Sequence, residues 1–212
     1  VRSNIVNAIN PAVEKSQARL SALETARRCS NNCAGKIVQE KLYRETIQKD
    51  WYDKEIRPAI SFFLSIDSTH IELGFSRQAP ALLHPSARTE EFVEGLWNYD
   101  VIELFLSTGE ESYLELNLSP QCAWWAMHFS SHRVRDNSDP RVRLVEQGHS
   151  LKAESTNYRA VFNCNRKFKL EGNVCGIIGI GPRQHFSLHQ AESNAELDFH
   201  SPKLRQTLLL PD

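Results

Sequence analysis

The sequence predicts an all-β fold, a single antiparallel β-sandwich of the jelly-roll kind over its 212 residues. Three observations lead there. Short runs rich in strand-forming residues recur from Ile37 onward, two pairs of runs are joined by short polar turns, and each pair gathers its apolar residues on one side. The length suits one domain with a substantial core, and nothing in the composition forces a division. Residues 1–36 read as a helical or irregular lead-in. Asn10 and Pro11 open a capped pattern with Glu14 early, arginines late and Asn31 and Asn32 as its end, although Ala18, Leu20 and Ala22 also alternate as a strand would.

The predicted strands are Ile37–Ile47, a hairpin over 60–75, then 99–106, 112–118, 122–129, Val142–Val145, Tyr158–Cys164, Val174–Ile180, His185–His189 and Leu204–Leu210. In the first hairpin a two-residue turn at Asp67 and Ser68 sets Ile60, Phe62, Leu64 and Ile66 against Phe75, Leu73, Ile71 and Thr69. Residues 78–95, with Pro80 and Pro85, read as a loop carrying a helical turn near Thr89–Phe92.

The second hairpin, Tyr113–Leu118 with Cys122–Phe129, turns at Ser119, Pro120 and Gln121. A two- or four-residue connection sets Leu118 opposite Ala123, Leu116 opposite Trp125 and Leu114 opposite Met127 on a core face. The other face then pairs Asn117 with Trp124, Glu115 with Ala126 and Tyr113 with His128. A three-residue loop would slip the register by one and mix the faces. The strand Val101–Leu106 places Glu103 opposite Glu115, and two facing carboxylates repel. A shared proton, a cation, an arginine such as Arg133 or a hydroxyl-rich ligand would offset the repulsion. The plainer reading has both side chains leaning into water at a sheet edge.

Charge is nearly balanced, 25 basic against 26 acidic side chains, so no global field recruits nucleic acid or an acidic membrane. No apolar run approaches the ~20 residues that span a bilayer. Five cysteines (Cys29, Cys33, Cys122, Cys164, Cys175) form no disulfide framework. Free thiols in a reducing cytoplasm are the expectation, with a Cys29–Cys33 bridge as the alternative and removal of a leader before Val1 left open.

Three blocks resemble, in order, the DOMON-like relatives of type 9 carbohydrate-binding modules. They are Trp97, Asp100, Glu103, Leu104 and Phe105; then Tyr113, Glu115, Asn117, Ser119 and Pro120; then Asp198, Phe199, His200 and Pro202. The likeness covers about residues 55–212. It implies a β-sandwich that binds without catalysis, with aromatic rings and carboxylate or amide groups on one sheet gripping a saccharide. The sequence departs from those relatives at His185–Leu188, where many carry a tyrosine and tryptophan pair, and at Cys122, where a turn glycine is usual.

Trp124 is the expected stacking platform, with Glu103, Glu115 and Asn117 as polar partners, Arg133 assisting, and Trp97 and Tyr113 completing the face. Asp198 and His200 read as a structural block that fastens the last strand. Haem ligation through Met127 and His128 fails because consecutive strand residues point to opposite faces. Zinc at His128/His132 or His185/His189 fails because four strand residues span about 13 Å. The glycines of residues 176–181 lack the order and following helix of a dinucleotide loop. No metal or cofactor is expected; calcium at Asp136–Asp139 is a possibility set aside in favour of a turn. The functional expectation is a non-catalytic module for a saccharide or other polyhydroxylated ligand, with homo-oligomerisation open. One alternative is a structural or interaction module using the same face for a dimer or partner contact. Another is a glycosidase using Glu103 and Glu115.

Overall fold

Alternation between apolar and polar side chains resolves into two antiparallel sheets in a computed structural model, which describes residues 41–208 apart from 68, 137, 166 and 191–195. The predicted N-terminal helix, the start of the Ile37–Ile47 strand, Cys29 and Cys33 lie outside the described residues. Within them the strands are β1 (Lys41–Lys49), β2 (Glu55–Ile66), β3 (His70–Arg77), β4 (Val101–Ser107), β5 (Tyr113–Leu118), β6 (Trp124–Ser131), β7 (Val134–Asp136), β8 (Val142–Leu151), β9 (Thr156–Cys164), β10 (Glu171–Ile178), β11 (Gln184–Ser187) and β12 (Gln206–Thr207). One sheet runs β1-β2-β3-β9-β8. The other runs β11-β10-β4-β5-β6-β7, with β12 pairing β10.

The core between the sheets forms from one parity of each strand. Ile60, Phe62, Leu64, Ile71 and Leu73 from the first sheet belong to one buried cluster with Leu104, Leu106, Leu114, Leu116 and Leu118 from the second. The seven-stranded sheet is covered on its other face too: every residue of β4 and β5 is buried. Its cover includes Leu96, from the short 3₁₀ turn Leu96–Asn98, and Phe199, which join Val101, Phe105, Tyr113 and Trp125 in a second cluster.

Register differs from expectation in three places. In the β2–β3 hairpin the faces are as predicted, but Phe62 opposes Phe75 and Ile66 opposes Ile71, two residues further along. Four residues make the turn, because the Asp67 carboxylate accepts the backbone N–H groups of Thr69 and His70 at 2.7 and 2.8 Å. Glu103 opposes Asn117, not Glu115, which faces Phe105.

The third difference moves a candidate residue. Ser119 and Ala123 close a three-residue loop, with Ser119 N–H donating to the Ala123 carbonyl at 2.9 Å. Cys122 takes φ +60°, the left-handed conformation such loops require and glycine most easily adopts. Asn117 therefore opposes Trp125, Glu115 opposes Met127 and Tyr113 opposes Phe129. Trp124 points between the sheets, where its ring packs 5.6 Å from Phe162 and edge-on to Phe92 at 4.8 Å. Its indole N–H donates to the Glu90 carbonyl at 3.2 Å.

Smaller differences have local causes. The stretch after β6 is a two-residue hairpin turn, with Arg133 at φ +59°, leading into the unpredicted β7. The loop after β3 carries its 3₁₀ turn at Leu96–Asn98, while Phe92 bridges Trp124 near the expected helical turn. β8 extends through Leu151 by way of a bulge between Leu144 and Glu146. β11 ends at Ser187, and a 3₁₀ turn at Pro202–Leu204 precedes the short β12.

Because Trp124 is a core ring, Trp124→Ala lowers the unfolding free energy by about 3–5 kcal/mol, measured by urea denaturation.

Candidate functional site

β4, β5, β6, β10 and β11 each turn alternate residues to the outer face of the seven-stranded sheet. β4 and β5 bring Glu103, Glu115, Asn117 and Tyr113 there, β6 brings Trp125, and β10 and β11 bring Asn173, Cys175 and Ser187. Asn173 and Ser187 hydrogen-bond at 2.9 Å and the Ser187 hydroxyl donates to the His189 carbonyl at 2.7 Å, so this end of the layer is internally satisfied.

The other end is not. The Asn117 amide donates to Glu115 Oε1 at 3.0 Å, while its own Oδ1 is buried without a partner among the described residues. Among the described residues Glu103 receives only a long thiol contact from Cys175, 3.9 Å. Both glutamates are buried, each residue 4 % exposed. Charged or polar groups so deep ordinarily acquire partners, because leaving an acceptor dry costs about 1–3 kcal/mol.

A C-terminal segment roofs the layer. Tyr113 stacks on Phe129 at 4.8 Å, and the Arg205 guanidinium lies over its ring at 4.3 Å. The phenol oxygen accepts the Arg133 backbone N–H at 3.1 Å and shares a hydrogen bond with His200 Nδ1 at 2.7 Å. His200 Nε2 then points toward Glu115 Oε2, 3.8 Å away.

Of the predicted residues, Glu103, Glu115, Asn117 and Tyr113 meet on one face. Trp97 joins them from the 3₁₀ turn, half-buried and edge-on to Trp125 at 5.4 Å. Arg133 reaches the rim but bonds Asp198 at 2.8 Å instead of bridging the two glutamates. Trp124 stands on the opposite side of the sheet, displaced by the three-residue loop. Trp125, beneath the Arg135 guanidinium at 5.3 Å, occupies the place predicted for it. His200 and Cys175 are absent from the predicted ligand-binding set; the parity of β10 relative to Glu103 is the signal for Cys175, whereas His200 stands in the Asp198–Pro202 block as a structural residue, and its bond to Tyr113 fits that reading.

Among the described residues no three His, Cys, Asp or Glu side chains gather as metal ligands. Asp136 bonds His128 and the Ser138 N–H, and Asp139 bonds Arg143 and the Arg141 N–H. Cys122, Cys164 and Cys175 are buried thiols. No helix among the described residues is long and apolar enough to cross a membrane.

No family profile and no curated protein matches the chain. Among solved structures it is similar to a Bacteroides uniformis protein named "putative carbohydrate-binding protein", with TM-score 0.53 and 11 % identity over 79 % of this chain and 84 % of that one. It also matches a family 9 carbohydrate-binding module from Caldicellulosiruptor kristjanssonii in complex with cellotriose, with TM-score 0.40 and 11 % identity over 71 % and 70 % of the two chains. The architecture shared with the first protein is the antiparallel β-sandwich that the sequence patterns predict.

Burial governs the titration of the layer. It holds Glu103 well above the usual carboxylate range, with the neighbouring Glu115 charge adding to the effect. Glu115 rises to about 7, its burial outweighing the Asn117 hydrogen bond and the Arg135 and Arg133 charges. His200 falls to about 4, first through burial and then through Arg133, so its imidazole is neutral near pH 7. Glu115 is raised in the fold, so its contribution is fully present below the ordinary value of 4.5 and is lost as pH rises through about 7. Glu115→Gln removes that loss: relative to the wild type, the variant gains on the order of 2–3 kcal/mol between pH 5 and pH 8. Urea denaturation of both proteins across that range measures the difference.

Proposed function

We propose that the protein is a non-catalytic saccharide-binding module that uses the outer face of its seven-stranded sheet. The observation that carries this reading is the unspent hydrogen-bonding capacity of Asn117 Oδ1, Glu103 and Glu115 on the face where Trp97 packs on Trp125. A polyhydroxylated ring supplies what that layer lacks, hydroxyl donors for the amide oxygen and carboxyls and a C–H surface for the indole. The ligand enters by displacing the half-buried Trp97 from the edge of Trp125, with the exposed Arg133 at the rim and Tyr113 buried beside the layer. The fold shared with the Bacteroides uniformis protein is compatible with this use.

Hydrolysis fits the geometry less well. Glu103 and Glu115 stand diagonally on adjacent strands of one face, so both lie on one side of any ring resting there. Cleavage instead needs carboxyls flanking the scissile bond.

Titration of tryptophan fluorescence with mono- and oligosaccharides tests the proposal. The wild type gives a saturable response to at least one sugar, and Trp97→Ala weakens it by about tenfold. Trp124→Phe, altered only in the core, retains it. A folded wild type that responds to no sugar overturns the proposal and favours the interaction-module reading.

A further inference from the structure

The five-stranded sheet also has an outer face, and among the described residues it is open. Its concavity encloses about 640 Å³. Two rows of side chains cross it at right angles to the strands. The first is hydroxyl and amide throughout: Thr46 opposes Ser61, Ser61 opposes Ser76, Ser76 opposes Asn157 and Asn157 opposes Ser150. The second is Arg44, Phe63, Gly74, Arg159 and Gly148. Phe63 lies down on Gly74 so closely that a β-carbon at position 74 would overlap its ring. Glycine thus lets an aromatic plane lie along the floor of the trough instead of standing off it.

The two arginines differ. Arg159 is engaged with Glu72 at 3.0 Å and with Glu146. The Arg44 side chain is exposed and has no hydrogen bond or ion pair among the described residues. An aromatic floor, a line of hydroxyl and amide groups one strand spacing apart, and one uncommitted guanidinium at the edge describe a complementary ligand. That ligand presents a ring face, hydroxyls and a carboxylate on the same unit.

We propose that this trough is a second binding site, distinct from the covered face, that takes an acidic saccharide of the hexuronate class. A pyranose ring stacks on Phe63, its carboxylate pairs with Arg44, and its hydroxyls bond along the row from Thr46 to Ser150. The neutral sites along the row set the direction of a linear chain across the strands, and Arg44, the arginine of the two that no glutamate pairs, selects acid over neutral sugar.

Calorimetric titration with tetragalacturonate, and with cellotetraose as the uncharged control, tests the assignment on the full chain. The wild type binds the uronate in preference to the neutral sugar, and added salt weakens that binding. Arg44→Gln lowers the uronate affinity about tenfold or more, the loss of one charge-assisted pair. Phe63→Ala lowers it as well, while Trp97→Ala on the opposite sheet leaves it unchanged. Circular dichroism confirms that each variant is folded; Arg44, being exposed, is the variant least able to disturb the fold. The assignment is overturned if a folded wild type binds no uronate, if cellotetraose binds equally well to the Trp97→Ala variant, whose covered face is impaired, if Arg44→Gln retains full affinity, or if Trp97→Ala abolishes uronate binding. The last result would place any uronate on the covered face and leave the proposal for that face standing.

Discussion

The Tyr113 hydroxyl holds the seven-stranded face closed. It joins a strand in the middle of the sheet to His200 on the C-terminal segment and to the backbone of Arg133 at the β6–β7 turn. Burial pushes the phenol up to about 12, so it stays a proton donor throughout the physiological range. Neutral His200 completes the match, since an uncharged imidazole accepts that proton on Nδ1 and turns its own N–H toward Glu115. Arg205 adds a cation over the Tyr113 ring and donates to the His200 carbonyl at 2.9 Å. Remove this junction and the polar layer would face water. Its carboxyls would then return toward ordinary acidity, and the unusual protonation of the site would disappear.

Two faces of one sheet therefore perform different tasks. The inner face is saturated with branched and aromatic side chains and supplies the apolar burial that holds the sandwich together. The outer face keeps carboxyls and an amide dry and partly unpartnered, a condition that destabilises the fold locally. A chain tolerates such a layer when the rest of the molecule has stability to spare, and departures from local consistency tend to gather where ligands bind. The buried Glu103 and Glu115, set within an otherwise well-packed sheet, are that kind of departure.

Much of this was legible in the chain itself. Period-two alternation identified most strands, and the parity of Tyr113, Glu115 and Asn117 placed them on one face before any contact was known. What alternation could not supply was the loop length between β5 and β6. Cys122 adopts a left-handed backbone at the position where the resembling modules usually carry a turn glycine, a cue that alternation does not use, and that one conformation reversed the roles of Trp124 and Trp125. The Glu103 register shifted for a similar reason, since pairing depends on how many residues a turn consumes. Alternation also suggested a polar face open to solvent. Its burial depends on residues 197–205 returning over the sheet from nearly a hundred positions away, a long-range contact that no short window contains. The trough on the other sheet was invisible for the complementary reason: Ser, Thr and Asn spread over five strands read as ordinary surface until the registers align them.

Phe63 and Gly74 form a single packing unit, and this limits how the chain can change. Any residue other than glycine at position 74 evicts the ring, and a residue smaller than phenylalanine at position 63 exposes bare backbone beneath it. Drift at either position alone thus meets a penalty, whereas paired replacement, a small side chain at 63 with a branched one at 74, restores an ordinary cross-strand contact. The aromatic floor is for this reason an all-or-none character among descendants of this sequence: retained as a pair or lost as a pair.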